Sequence, residues 1–309
     1  MVGWWWLAGA SFAEDRATTG TLSALPALDA PLPRDERIRF GRLPGGAGVV
    51  MVQDPDPTAL EIRLVIDRGF VHEDPGAVGV AHLVEHLVIS GNPAYGEAPP
   101  MSLNRSYYPY FNAFTAPDRT VYELSSSLDD VDDQPAIYDL LWFTWAILYN
   151  RPALRATFKA EHAIVTEELR LRDTPNSRAE EALLLAITDD PRADWLTAQR
   201  ESVATLTVGD ARRFYREAYR SPRATLVVVT GRDLDVTEKL VGFVFRSVRP
   251  GALAPIAPGP LPEWDLRVGA AGAAGDYEQS VVWSATRPDA RDGTWADARA
   301  SAASAIARA

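Results

Sequence analysis

Apolar and polar positions alternate from Ile38 onward. The runs Ile38–Leu43, Val49–Gln53 and Leu60–Phe70 read as strands. In the last, LEIRLVIDRGF, the alternation is that of a strand with one buried face. Gly45-Gly46 supplies a hairpin turn between the first two. The period then lengthens: Gly79–Ser90, GVAHLVEHLVIS, is helical, and Gly91-Asn92-Pro93 stops it. After a polar, Tyr-rich stretch, Tyr110–Thr115 and Thr120–Ser126 read as strands. From Pro135 the pattern is mostly helical, over Ile137–Tyr149, Ala153–Arg172, Ala179–Ile187 and Val208–Tyr219. A buried strand, Ala224–Gly231, and an amphipathic helix, Val236–Phe245, complete this part. The predicted fold class is α+β, with an antiparallel-rich sheet packed against helices.

Breaks in the pattern predict the organisation. Residues 1–35 form a leader, of which 14–35 are rich in Pro, Ala and Thr and lack periodicity. Residues 36–249 form the first domain, and 250–263 a Pro/Gly linker whose centre is PGALAPIAPGPLP. Residues 264–309 are expected to be the start of a second, truncated domain. It has strands at Leu266–Val268 and Gln279–Ser284 and an Ala-rich helix, Trp295–Ala309, without a C-terminal cap.

Composition narrows the function. Hydrophobic content of 47% and charged content of 24% over 309 residues are those of a soluble globular protein. A net charge of −11 argues against a nucleic-acid binder, which needs a basic face to neutralise phosphates. With no cysteine, disulfides, thiolate nucleophiles and Cys-based metal sites are impossible. The first 13 residues, MVGWWWLAGASFA, are apolar with small residues at Ser11 and Ala13, the pattern of a signal peptide that lacks its basic start. Export to the periplasm or the exterior is the expectation, and the cytoplasm the alternative. The run is too short for a membrane span, which takes roughly 20 apolar residues.

The chemistry concentrates on His82-Leu83-Val84-Glu85-His86. At about 100° per residue, His82 and His86 lie one turn apart and roughly 40° from each other, with Glu85 on the same side. Two imidazoles on adjacent turns can share a metal ion, usually zinc, and the carboxylate beside them is placed to act on an attacking water. The order H-x-x-E-H inverts the commoner H-E-x-x-H motif. Two of the chain's four histidines fall in it; His72 and His162 have no ligand spacing and read as ordinary surface or strand-end residues. A catalytic zinc needs a third protein ligand, and the candidates are carboxylates of Ala153–Arg172. Glu161 and Glu168 are seven residues apart and share a face to within about 20°, whereas Glu167 points some 120° from Glu161. Trp142 and Trp145, at helical spacing, read as core.

Together, HLVEH after GVA, FNAFTAPDRTVY, and EHAIVTEELRLRDTP resemble the pitrilysin/insulinase family of zinc peptidases, which includes the mitochondrial processing peptidase. The resemblance extends through LTVGDARRFYREAYRSPRATLVVVTG and covers about residues 37–248. It implies that His82, His86 and Glu168 bind zinc, that Glu85 is the general base and that Glu161 supports the site. Asn112, Ala113 and Phe114 would then lie on the sheet edge where a substrate is added as a strand. It also implies repeated units around a chamber, a companion half or partner subunit, and peptides or unfolded polypeptides as substrate. Three features depart from the family pattern: Tyr107–Tyr110 in place of a Gly-Gly pair, an insertion around Asp129–Gln134, and DPRADWLTAQ near Pro191. The rival reading is a non-catalytic, peptide-binding or partner subunit of the same fold. A zinc-stabilised structural domain is disfavoured, because closed sites usually use four protein ligands that commonly include Cys.

Overall fold

The computed structural model describes residues 35–90, 92, 110–127, 136–150, 152–175, 177, 178, 181 and 194–247, and the backbone of strands at 265–272 and 279–286. Several sequence expectations lie outside them: the signal-peptide run, nearly all of the leader, residues 107–109, the insertion, most of Ala179–Ile187, the linker and the helix Trp295–Ala309.

Six strands form one mixed sheet. They are β1 (Ile38–Arg42), β2 (Gly48–Gln53), β3 (Ala59–Ile66), β4 (Tyr110–Thr115), β5 (Thr120–Ser127) and β6 (Ala224–Thr230), in the order β1-β2-β6-β3-β5-β4. Only β2 and β6 run parallel; the other neighbours are antiparallel. The architecture is the expected α+β. β3 shows why the alternation was legible: Leu60, Ile62, Leu64 and Ile66 are buried, while Glu61, Arg63 and Val65 point the other way. The buried side joins one core with α1 (Val80–Ser90), α2 (Ala136–Tyr149), α3 (Leu154–Arg172), α5 (Val208–Ala218) and α6 (Leu234–Phe245). A further helix, α4 (Asp194–Ser202), falls in the divergent DPRADWLTAQ stretch, where no helix was predicted. β7 (Asp265–Gly272) and β8 (Gln279–Thr286) form a separate antiparallel pair.

Three expectations are corrected. The strand predicted to reach Phe70 ends at Ile66, where its pairing with β5 and β6 runs out, and the chain turns through a short 3-10 helix at Phe70–His72. Gly69 permits that turn, since a Cβ there would lie 2.0 Å from the carbonyl oxygen of Ala116. Helix α6 starts two residues earlier than expected, because the Asp233 carboxylate accepts from the backbone N–H of Asp235 and Val236 and caps it. Trp142 and Trp145 stack on each other at 6.4 Å but are only partly buried, at the margin of the core. The Gly45-Gly46 turn is present: Gly46 takes φ 94° and the Leu43 N–H bonds across it to the Ala47 carbonyl at 2.8 Å.

Candidate metal and catalytic site

Helix α1 is fully buried on one side through Ala81, Leu83, Val84, Leu87 and Val88. That packing leaves His82 and His86 on the opposite side, with side chains 13% and 21% exposed. The N-terminus of the helix is held from outside. Glu73, itself buried, accepts from the backbone N–H of Gly79 at 2.8 Å and of Ala81 at 2.7 Å. Those are donors that a helix start cannot satisfy internally. Burial pushes the Glu73 carboxyl up to about 7, against the pull of these two bonds.

Helix α3 packs across α1 and brings Glu161 and Glu168 to the histidines. Glu168 Oε2 lies 3.4 Å from His86 Nε2 and 3.7 Å from His82 Nε2. Glu161 Oε2 lies 3.2 Å from the other ring nitrogen of His86, Nδ1. Glu167 faces away and forms a two-pronged ion pair with Arg170, as the helical angles required. The other oxygen of Glu168 pairs with Arg172 one turn on.

One ligand atom from each of His82, His86 and Glu168 lies within 4.8 Å of the other two. A tetrahedral ion with bonds of about 2.0–2.1 Å spaces its donors by roughly 3.3 Å, so this set fits zinc with little movement. Burial drives His82 down to about 3, assisted by His86 and Arg172, and so keeps it the neutral imidazole that ligation requires. For His86, burial lowers the pKa, but the Glu161 bond and the surrounding carboxylates outweigh it and the net direction is upward. In the tautomer protonated at Nδ1, His86 donates to Glu161 and presents a free Nε2 lone pair to a metal.

Glu85 is 4% exposed and stands beside these groups. Burial raises its carboxyl to about 7 and Glu168 adds to the rise, while a hydrogen bond from the Thr115 hydroxyl and the proximity of His86 oppose it. Glu85, His82, His86 and Glu168 line a cavity of about 370 Å³ together with Phe70, Glu73, Thr115, Arg172 and Gln199. Asn112, Ala113 and Phe114 line it too, from β4, the last strand of the sheet. Asn112 bonds weakly to Glu123 at 3.4 Å, and Phe114 is 40% exposed. Of the remaining histidines, His72 Nδ1 accepts from the Gly69 N–H, and His162 bonds the carbonyl of Val203 at 2.7 Å. Neither belongs to the group that could hold a metal ion.

Sequence reading missed Thr115, Glu73 and Gln199. Thr115 sits inside the FNAFT segment and was visible as a residue type, but nothing local announces its partner. Glu73 precedes its helix by a full loop, beyond the spacing of ordinary capping signals.

Residues 48–143 match the sequence profile of the family described as Insulinase (Peptidase family M16). "Probable zinc protease PqqL" of Haemophilus influenzae is 28% identical over 224 residues, covering 68% of this chain and 23% of that protein. Among solved structures, the periplasmic protease PqqL from Escherichia coli aligns with a TM-score of 0.63 at 23% identity, over 75% of this chain and 26% of that one. The separately solved first half of that protease aligns with a TM-score of 0.62 at 23% identity, over 75% of this chain and 50% of that half. The chain thus spans about a quarter of the length of the Haemophilus influenzae and Escherichia coli proteases.

Proposed function

We propose that this chain, whose residues 48–143 match the insulinase (M16) profile, carries a unit of that peptidase family and is a zinc-dependent endopeptidase acting on peptides or unfolded polypeptides. The observation that carries the reading is the convergence of His82, His86 and Glu168 within 4.8 Å, beside a buried carboxylate in one cavity. Two imidazoles and one carboxylate leave a fourth tetrahedral position open, as catalytic rather than structural sites do. Zinc held there would supply Lewis-acid polarisation of the scissile carbonyl and lower the pKa of water towards about 7.

The chain's own groups do the rest. Glu85 takes the proton of the attacking water as general base and returns it to the leaving amine as general acid. Glu161 holds His86 in its ligating tautomer. Asn112, Ala113 and Phe114 receive the substrate as an added strand along β4. Export agrees with the apolar run at residues 1–13 and with the periplasmic location of the Escherichia coli relative. Among the described residues, no helix is long and apolar enough to cross a membrane. A companion half or partner subunit completes the cleft.

The test is zinc stoichiometry and peptide hydrolysis on the unmutated chain and on Glu85→Gln, each assayed with its companion half or partner subunit. One zinc per chain in both, with hydrolysis lost only in the variant, supports the reading. If the zinc-loaded protein with its companion half bound peptides and never cleaved them, it would instead be a peptide-binding subunit.

A further inference from the structure

The Thr115 hydroxyl donates to Glu85 Oε2 at 2.7 Å. Glu85 lies on α1 and Thr115 ends β4, so the bond ties together two elements that the sequence keeps 30 residues apart. The terminal torsion of a glutamate is broad and weakly directed. A base, however, must aim a lone pair at its proton to within hydrogen-bond geometry. We propose that Thr115 is a positioning residue for the reaction: its hydroxyl fixes one oxygen of Glu85 and leaves Oε1 directed to the cavity for the reacting water. The proposal rests on Glu85 being the base.

The fold holds donor and acceptor from a common anchor. Thr115 pairs with Thr120 where β4 turns into β5, and Ala116 N–H closes that turn on the Arg119 carbonyl at 2.8 Å. The N–H groups of Phe70 and Val71 reach the carbonyls of Ala116 at 3.2 Å and Pro117 at 2.9 Å. The approach depends on Gly69, whose missing side chain makes room for the Ala116 oxygen. Just beyond, Glu73 takes the N–H groups of Gly79 and Ala81 and so holds the start of α1. The short segment Gly69–Glu73 therefore grips both the turn beside Thr115 and the helix that carries Glu85. A hydroxyl at 115 is delivered to the carboxylate by that shared anchor, while His82, His86 and Glu168 meet without it.

Thr115→Val removes the hydroxyl and keeps the shape; Thr115→Ser keeps the hydroxyl. The zinc-loaded full chain, with its companion half when that is in hand, is assayed for kcat, KM and zinc affinity. Thr115→Val should lower kcat by about 10- to 100-fold with KM and zinc affinity close to unmutated, the scale of a base that is present but misaimed. Thr115→Ser should recover most of the loss. A Thr115→Val enzyme with unmutated kcat, or one whose loss Ser does not rescue, overturns the proposal. Crystal structures of zinc-loaded Thr115→Val and Thr115→Ser supply a readout independent of turnover. The Glu85 carboxylate should rotate away in the first and stay in the second. If it stays put in both, positioning by Thr115 is wrong. If the unmutated protein hydrolyses nothing while the carboxylate behaves as expected, it is the peptidase reading that fails.

Discussion

At the scale of single residues, the proposed ligands and the proposed base are different groups. His82, His86 and Glu168 contribute atoms to one point, and Glu161 touches only the far nitrogen of His86. His82→Ala, His86→Ala and Glu168→Gln should each weaken zinc binding by at least about 100-fold, and Glu161→Gln by about 10- to 100-fold through loss of ring orientation. Glu167→Gln should bind like the unmutated chain, because that side chain is spent on Arg170 at the surface. Competition against a chromophoric chelator measures all five. Unmutated affinity in Glu168→Gln together with loss in Glu167→Gln would falsify the choice of third ligand. Glu85→Gln should keep zinc and lose turnover, because it alters the proposed base and none of the three groups that could hold the metal.

At the scale of elements, the helix that carries the motif is fixed at its start by a side chain from another segment. Glu73→Ala would strip both acceptors from the buried N–H groups of Gly79 and Ala81. Each orphaned buried donor costs about 1–3 kcal/mol, so the metal-free chain should lose about 2–6 kcal/mol in urea unfolding. Glu73→Gln, which retains one acceptor oxygen, should fall between. Equal midpoints for all three proteins would show that water replaces the carboxylate freely. The same experiment bears on function: zinc affinity should fall in step with stability, because His82 follows Ala81 directly.

At the scale of the molecule, zinc should join elements far apart in sequence, α1 and α3, and so raise the melting temperature. Free zinc at about 100 times its Kd adds about 2.7 kcal/mol, reversed by a chelator. An unchanged melting temperature would mean that the ligand set does not close on the metal. Hydrolysis is a different matter. The chain spans 23% of the Haemophilus relative and half of the separately solved first half of the Escherichia coli one. If, as proposed, a companion half or partner subunit completes the cleft, the full chain assayed alone on unstructured peptides of about 15–30 residues should be a poor peptidase, because lost positioning costs several kcal/mol of barrier. Adding the companion half or the partner subunit should restore orders of magnitude in kcat/KM. High turnover by the monomeric chain would show the other half to be dispensable.

The periods of strand and helix are set by local backbone sterics, so the sequence alone determined the alternation of β3, the switch to helix at Val80 and the shared side of His82, Glu85 and His86. The same rule put Glu161 and Glu168 on one face of α3 and sent Glu167 to solvent. What it could not decide is distance between elements. Whether Glu168 rather than Glu161 meets the Nε2 atoms depends on how α3 crosses α1, which is fixed by core packing. The sheet order, which leaves β4 at its end beside the cavity, follows from the same packing. So do the bond from Thr115 to Glu85 and the reach of Glu73 to the start of α1. Each joins residues whose neighbours in sequence carry no trace of the partner, because a hydrogen bond between separate elements needs only that the fold bring donor and acceptor within about 3 Å.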